Sequence, residues 1–204
     1  MNAAIILAAG SGRRLGGVAK AVLTCSEGVT FLAAICDTAR RAGLEHFVVI
    51  AGPPYGDQTR SEAARLNLPS LTNPEPSRGM SSSVAVGFEY ALQRFAGFTT
   101  ALLWPVDHMR VRVDTVQKLL ARATARDIVI PTFDRRGGHP TGFGRDLWQD
   151  LAACGSAPQG ARSVVRSLRS RHPNRVKPIE VTDAGVTADV DTPADLEARA
   201  QNEP

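Results

Sequence analysis

The chain has 204 residues, of which 43% are hydrophobic and 22% charged, a length and composition that suit one globular domain over residues 1–204 and exclude disorder as the main description. Basic residues outnumber acidic ones by 24 to 20, and this modest excess suits an anionic ligand without indicating nucleic acid by itself. No apolar run approaches the roughly 20 residues that span a bilayer.

Apolar runs bounded by glycine and proline alternate with segments of helical period. This alternation is typical of stacked βα units on a mostly parallel sheet. The predicted strands lack polar alternation, as strands covered on both faces do, and span 3–8, 46–51, 99–106 and 127–131. The predicted helices span 31–42, 61–66, 83–95, 113–125 and 161–169, and a last helix begins near Pro193. After Pro131 the turn-rich stretch FDRRGGHPTGF predicts a hairpin flap in place of another βα unit.

The first predicted strand runs directly into a glycine-rich loop, GSGRRLGGVAK, over residues 10–20. Glycines here let backbone N–H groups approach a phosphate, because no Cβ blocks the way. Arg14 and Lys20 can add positive charge to the same anion. A P-loop fits poorly because Lys20 is followed by alanine, and a dinucleotide-binding loop fits poorly because GxGxxG is incomplete. A plain glycine-rich turn is the structural alternative.

With the end of the strand, LAAGSGRRLGGVAK resembles the signature LAAGxSxRMGxxK of the MobA-like NTP transferases. Gly12 stands where serine is usual, Leu15 replaces methionine, and Lys20 lies one residue later than in the usual spacing. The resemblance implies a three-layer Rossmann-like α/β nucleotidyltransferase fold with a mostly parallel sheet of about seven strands. It also implies that the triphosphate is bound by Ala9, Gly10, Ser11, Gly12, Arg14 and Lys20, with Arg14 and Lys20 counted as catalytic.

The segment NPEPSRGMSSSVAVG, residues 73–87, is similar to the family's N-x-x-x-x-x-G-x-x-x-S segment. Three serines after a glycine offer hydroxyls and the free N–H groups of a helix N-terminus, which favour anionic ligands. Ser81 or Ser82 is also suited to a simple N-cap. We expect Gly79, Ser81 and Ser83 to bind the nucleotide.

The strongest central strand ends in WPVDH, residues 104–108. An acid at the carboxyl end of such a strand sits where open α/β sheets bind ligands. Mg²⁺ prefers one or two carboxylates together with phosphate oxygens, so Asp107 is predicted to bind the metal and the nucleotide and to be catalytic, with a turn cap as its alternative role. The segment resembles the family's PvDhP motif and departs from it at Met109, which replaces a proline.

Two segments in the second half continue the resemblance. GGHPTGF, residues 137–143, is similar to the family's GHPVLF, with Thr-Gly in place of two apolar residues, and GAR at 160–162 is similar to the start of a late helix. The resemblance implies that His139 and Arg162, together with His108, bind the acceptor substrate. Without it, a lone histidine is most often structural, and the basic run 162–177 is most simply a solvated face.

The segment DVDTPADL, which begins at Asp189, is similar to the family's DIDTPEDL. Thr192 and Asp195 have the spacing of a helix N-cap, which gives both a structural role. Asp189 and Asp191 lie two residues apart and would face the same side of an extended chain. We expect Asp189, which no cap explains, to join Asp107 at the metal, with Asp191 as a further candidate ligand.

The resemblance follows nearly the whole chain in order and implies Mg²⁺-dependent transfer of a nucleotidyl group to a phosphorylated small molecule, with release of pyrophosphate. Ala9 is similar to the cytidylyl branch of the family, whereas the guanylyl branch usually has glycine there. This favours transfer of CMP from CTP to molybdopterin in molybdenum cofactor biosynthesis, with a molybdoenzyme or an insertion chaperone as a further partner. A sugar phosphate is the alternative acceptor.

Two other classes of protein fit the sequence less well. A nucleotide- or cofactor-binding chaperone without chemistry is disfavoured because binding alone rarely requires two convergent carboxylates near a triphosphate. A nucleic-acid-binding module is disfavoured because only 5% of the residues are aromatic and no stacking platform stands out. The three cysteines form no CxxC pair and the N-terminal apolar run lacks a basic region, so we expect a reducing, cytoplasmic setting with no membrane partner.

Overall fold

The computed structural model describes residues 1–12, 15–25, 28–157, 159–192 and 195. The strands are β1 (Asn2–Leu7), β2 (His46–Ala51), β3 (Ser70–Thr72), β4 (Thr100–Pro105), β5 (Ile128–Phe133), β6 (Arg136–Gly137), β7 (Thr141–Gly144) and β8 (Val176–Glu180). The α-helices are α1 (Phe31–Arg41), α2 (Gly56–Arg65), α3 (Met80–Arg94), α4 (Val113–Arg122), α5 (Trp148–Ala152) and α6 (Ala161–Arg171). Within those ranges, each helix is too short or too polar to cross a bilayer. The predicted helix near Pro193 lies largely outside the described residues.

Helix α1 shows how local chemistry sets the bounds of an element. Thr30 is its N-cap, and its hydroxyl accepts a hydrogen bond of 3.1 Å from the N–H of Ala33. The last turn is basic, which suits the negative end of the helix dipole. Gly43 follows with φ of 94°, a left-handed conformation that glycine adopts readily and that ends the helix as predicted.

The strands form one sheet in the order β3-β2-β1-β4-β7-β5-β6, and β8 pairs with β5. Strands β3, β2, β1 and β4 are mutually parallel, as are β5 and β8. Strand β7 is antiparallel to both of its neighbours, β4 and β5. The predicted α/β fold with a mostly parallel sheet of about seven strands is confirmed.

The stretch after Pro131 is a hairpin, and its return strand is an interior part of the sheet. Asp134 and Arg135 have φ of 47° and 60°, the two positive values that a tight two-residue hairpin turn requires. The returning chain pairs with the end of β5 as β6, is interrupted at 138–140, and pairs with the start of β5 as β7. Every residue of β7 is buried. The hairpin therefore places His139 directly before an interior strand of the sheet.

Helices cover both faces of the sheet and produce two hydrophobic cores. On one face Ile6 of β1 packs in a core with Phe31 of α1 and Val116 of α4. On the other face Ile5 belongs to a core that includes Phe88 of α3. Each fully buried side chain of this size contributes about 1.5 to 3 kcal/mol. The two cores hold the carboxyl ends of β1 and β4 side by side, where the predicted site residues lie.

Candidate active site

The glycine-rich loop leaves β1 and closes on the carbonyl of Gly12, which accepts hydrogen bonds from Leu15 N–H at 2.9 Å and Gly17 N–H at 3.0 Å. Gly12 has φ of 53°, and a Cβ placed there would lie 2.2 Å from the carbonyl oxygen of Val18. A serine, the residue usual at this position of the signature, would clash with the backbone. The loop geometry thus accounts for the departure from the signature.

The loop keeps backbone donors available. Among the described residues, the N–H groups of Gly10, Ser11 and Gly12 have no hydrogen-bond acceptor. Ala9 is buried, whereas Gly10 is exposed. Unpaired N–H groups in a glycine loop are suited to phosphate oxygens. Arg14 lies outside the described residues, so its predicted part in this loop stays a prediction.

Lys20 joins two carboxylates that come from distant parts of the chain. Its Nζ donates to Asp107 Oδ2 at 2.9 Å and to Asp191 Oδ1 at 2.5 Å. The Lys20 side chain is 12% exposed and each aspartate side chain 21%. Burial alone would lower the pKa of the Lys20 ammonium, but the two carboxylates outweigh it and raise that pKa above its ordinary value. The ammonium therefore stays charged and lies between the two carboxylates.

The second oxygen of Asp107 has no partner. Oδ1 is buried and accepts no hydrogen bond within the described part of the chain, and His108 Nε2 lies 4.0 Å from it. A buried carboxylate oxygen without a hydrogen bond is costly, so it favours a bound cation. Two carboxylates with one free oxygen fit Mg²⁺, which takes its remaining ligands from phosphates and water.

The two C-terminal aspartates are placed differently. Asp191 contacts Lys20 beside Asp107, whereas Asp189 is exposed to solvent. In the described ranges, no group of three or more His, Cys, Asp or Glu side chains is arranged to hold a metal ion. Asp191 is therefore the better-placed partner of Asp107, and the metal roles of Asp107, Asp189 and Asp191 stay predictions.

Two histidines connect Asp107 to the hairpin. The ring centroids of His108 and His139 lie 4.9 Å apart. The backbone N–H of His139 donates to the Val186 carbonyl at 2.8 Å. Burial, followed by the neighbouring His108, lowers the pKa of His139 to about 4. The His139 ring is therefore neutral near pH 7, where it can donate or accept one hydrogen bond at each nitrogen.

The depressed pKa of His139 predicts acid sensitivity. The pKa of the His139 ring is 6.5 in the unfolded chain and about 4 in the folded chain. The folded state is therefore fully stabilised by its neutral ring above pH 6.5, and this stabilisation is lost as the pH falls towards 4. Between about pH 7 and about pH 4.5, the wild-type chain should lose about 2 kcal/mol more unfolding free energy than His139→Gln, measured by urea denaturation. Equal losses in both proteins would contradict a neutral His139 ring in the folded chain.

A cavity of about 840 Å³ opens beside His139, between the N-terminal ends of α3 and α6. Gly79, Ser81, His139 and Arg162 all line it. The first two were predicted to bind the nucleotide and the last two the acceptor. The structure therefore places candidates for both substrates around a single cavity.

Ser83 lies away from the cavity and holds a turn together. The side-chain amide of Asn73 donates to the Ser82 hydroxyl at 2.8 Å and to the Ser83 hydroxyl at 2.9 Å, and all three residues are buried. This network ties the segment after β3 to the first turn of α3. The contacts of Ser83 are therefore structural, and its predicted nucleotide contact stays a prediction.

Sequence reasoning missed part of the cavity wall. Arg166 and Arg169 are exposed, as the interpretation of this run as a solvated face predicts, but they also line the cavity together with Arg162. Their spacing of four and three residues, which places all three on one face of a helix, was the available signal.

A mostly parallel sheet whose strand ends carry a phosphate-type glycine loop, a lysine and paired aspartates defines a protein of the nucleotidyltransferase class. The sequence profile of the MobA-like NTP transferase domain matches residues 4–174. The chain belongs to this family, as its motifs predicted, and it is a nucleotidyltransferase.

Solved structures share the fold along nearly the whole chain. A nucleotidyl transferase from Methanothermobacter is 20% identical with a TM-score of 0.81, over 98% of this chain and 97% of that one. Rv0371c from Mycobacterium tuberculosis is 25% identical with a TM-score of 0.79 over the same shares, 98% and 97%, and has also been solved as a manganese complex. The CMP:2-keto-3-deoxy-manno-octonic acid synthetase complexed with CTP is 16% identical with a TM-score of 0.67, over 98% and 97%. Among curated proteins, no sequence matches significantly.

Proposed function

We propose that this protein is a divalent-metal-dependent cytidylyltransferase that transfers CMP from CTP to a phosphorylated small molecule, with molybdopterin as the favoured acceptor. The observation that carries the proposal is the Lys20 bridge between Asp107 and Asp191, beside a glycine loop with free N–H groups. Charge of both signs at the carboxyl ends of β1 and β4 suits a metal-bound triphosphate. A cavity large enough for a second substrate adjoins it.

In the proposed reaction an oxygen of the acceptor's phosphate attacks the α-phosphorus of CTP, a new P–O bond forms, and the bond to pyrophosphate breaks. The attacking phosphate is already ionised near neutral pH, so no general base is needed. Lys20 and the N–H groups of Gly10 to Gly12 hold the triphosphate oxygens, with Arg14 as a further candidate. Catalysis is then mainly positioning and charge stabilisation.

Asp107 and Asp191, with Asp189 as the candidate inferred from sequence, would hold the divalent cation, for which Mg²⁺ is the proposed ion. When bound, the ion supplies charge neutralisation for the phosphates. The unpartnered Oδ1 of Asp107 supports this assignment. The manganese complex of the mycobacterial protein supports a divalent ion in a related fold.

The choice of cytosine rests on Ala9, which resembles the cytidylyl branch. Its methyl group is enclosed: a Cβ placed on Gly52 would lie 2.9 Å from Ala9 Cβ. The synthetase solved with CTP supports the compatibility of this fold with a cytidine nucleotide. A cytoplasmic location and a molybdoenzyme or insertion chaperone as partner belong to the same proposal.

The direct test incubates the protein with each of the four NTPs, Mg²⁺ and candidate acceptors, and follows pyrophosphate release. Release with CTP and molybdopterin supports the proposal. Release with another NTP overturns the base assignment, and release only with sugar phosphates establishes the alternative acceptor. Tight nucleotide binding without pyrophosphate release from any acceptor would instead favour a chaperone.

Altering His139 should separate acceptor recognition from nucleotide binding. Because His139 lies in the hairpin and lines the cavity, His139→Ala should raise the acceptor's KM or lower kcat by about tenfold, the effect of about 1.4 kcal/mol, with CTP affinity nearly unchanged. The measurements are calorimetry with CTP alone and steady-state kinetics with the acceptor varied.

The matched control is His172→Ala, since His172 is exposed after the last turn of α6. This variant should leave both measurements unchanged. Loss of CTP binding in a folded His139→Ala protein would mean that His139 binds the nucleotide and not the acceptor. Gly79 and Ser81, which are predicted to bind the nucleotide, line the same cavity.

A further inference from the structure

The cavity wall formed by α6 is a stripe of arginines. Arg162, Arg166 and Arg169 follow one another at spacings of four and three residues and all line the cavity. Between them, Val164 and Leu168 are buried in the core on the other side of the helix. The orientation of α6 is therefore fixed by its apolar face, and the three arginines, which are exposed to solvent, line the cavity from the other side of the helix.

These arginines lack neutralising partners. In the described part of the chain, the side chains of Arg162, Arg166 and Arg169 make no ion pair or hydrogen bond, and no described acidic residue lines the cavity. Arg78, on the opposite wall, differs because it is already paired with Glu75 at 3.0 Å. Like charges one turn apart repel by a few tenths of a kcal/mol, a cost that a bound anion would reverse.

The stripe is longer than one phosphate needs. Arg162 lies in the first turn of α6 and is close enough to His139 for its charge to help lower that residue's pKa. Arg166 and Arg169 lie about 6 and 10 Å further along the helix axis, at 1.5 Å per residue. A single phosphate is much shorter than this row of side chains, so one held at the His139 end does not occupy the whole stripe.

Part of the cavity wall is apolar. Leu103 of β4, Phe143 of β7, Val84 of α3 and Val165 of α6 line the same cavity. An apolar wall beside a row of cations suits a ligand that has a hydrophobic body and anionic groups at separate positions. Inorganic phosphate alone would leave this wall uncovered.

We propose that Arg166 and Arg169 form a second anion subsite, so that the acceptor carries, besides the phosphate that attacks, another anionic group about 6 to 10 Å away. The statement that this ligand is the acceptor rests on the proposed function, whereas anion binding at Arg166 and Arg169 can be measured without it. It narrows the acceptor to dianionic or polyanionic small molecules with an apolar body, and it makes Arg166 and Arg169 specificity-determining residues.

The test is calorimetry on the whole chain with hexanediol bisphosphate and with hydroxyhexyl phosphate, which have the same body and differ in the second phosphate. Wild-type protein should bind the bisphosphate at least about tenfold more tightly. Arg166→Gln/Arg169→Gln should abolish that preference while leaving hydroxyhexyl phosphate and CTP binding nearly unchanged. The control is Arg122→Gln/Arg171→Gln, which removes the same charge from exposed positions outside the cavity.

Three outcomes would overturn the subsite. Wild-type protein could show no preference for the bisphosphate, or the Arg166/Arg169 double variant could weaken both probes equally, which indicates general attraction to a basic surface. Alternatively, the double variant could weaken CTP binding as much as bisphosphate binding, which would assign the arginines to the triphosphate. Failure of pyrophosphate release with every NTP would reject the proposed function and leave this binding result standing.

Discussion

Replacing Asp107 with asparagine should reduce nucleotidyl transfer at least about a hundredfold, while the protein remains folded. Asp107 both accepts from Lys20 at 2.9 Å and keeps a buried oxygen without a partner. The amide of asparagine keeps the shape of the side chain but removes its charge and so weakens metal binding. A bound metal stabilises the transition state by several kcal/mol, and about 1.4 kcal/mol corresponds to a tenfold change in rate. Pyrophosphate release measures the loss of nucleotidyl transfer, and Mn²⁺ binding measures the loss of metal affinity.

Asp127→Asn is the matched control for this experiment. Asp127 is buried and accepts from Lys177 at 2.5 Å, so it forms a lysine–aspartate pair of the same kind away from the cavity. Its substitution should lower the melting temperature and leave turnover nearly unchanged. Asp191→Asn should reduce transfer more than Asp189→Asn, because Asp191 contacts Lys20. Near-normal turnover of Asp107→Asn at saturating Mg²⁺ would reject the assignment.

Replacing Lys20 with methionine should have opposite effects on metal and on nucleotide. The ammonium lies between Asp107 and Asp191, so a divalent ion entering the free protein competes with it. Without the ammonium, Mn²⁺ alone should bind about tenfold more tightly, a change of about 1.4 kcal/mol. CTP binding and transfer should weaken by about 10- to 150-fold, because a hydrogen bond to a charged group contributes about 1.5 to 3 kcal/mol.

Electron paramagnetic resonance of free Mn²⁺ measures the metal affinity of the Lys20→Met protein, and calorimetry measures CTP. Lys177→Met, which breaks the pair with Asp127 instead, should change neither. A parallel loss of metal and nucleotide affinity would mean that Lys20 organises the two aspartates and does not compete with the metal.

Much of the fold could be predicted because its signals are local. The runs that became β1, β2, β4 and β5 are continuous and apolar, and the glycine loop follows the first of them. The remaining strands gave weak signals. Strand β3 has only three residues, β8 contains Pro178, and β7 contains two glycines. Proline and glycine both have low strand propensity, so neither β8 nor β7 is indicated by its own residues. In β7 a Cβ on Gly142 would lie 2.5 Å from Val129 Cγ2, so glycine permits the close packing that its propensity obscures.

The site was predictable where it depends on strand ends and less so where it depends on tertiary contact. Lys20 and Asp107 follow β1 and β4, which are neighbours, so their meeting could be expected. The sequence favoured Asp189 over Asp191 because no capping role accounts for Asp189. Which of the two side chains contacts Lys20 depends on backbone angles that the local pattern does not determine. The shared cavity depends on the approach of Gly160 to Ser81, where an added Cβ would lie 2.6 Å from Ser81 Cβ.

The place of β7 in the sheet has a consequence for how the chain is made. Strand β4 is buried at every residue and needs β1 on one edge and β7 on the other. At about 5 to 20 residues per second, the ribosome completes β4 roughly two to eight seconds before β7 can cover its second edge. During that interval an apolar strand edge can pair with other chains. Fragments that end before Thr141 should therefore aggregate, although they contain the whole glycine loop and Asp107.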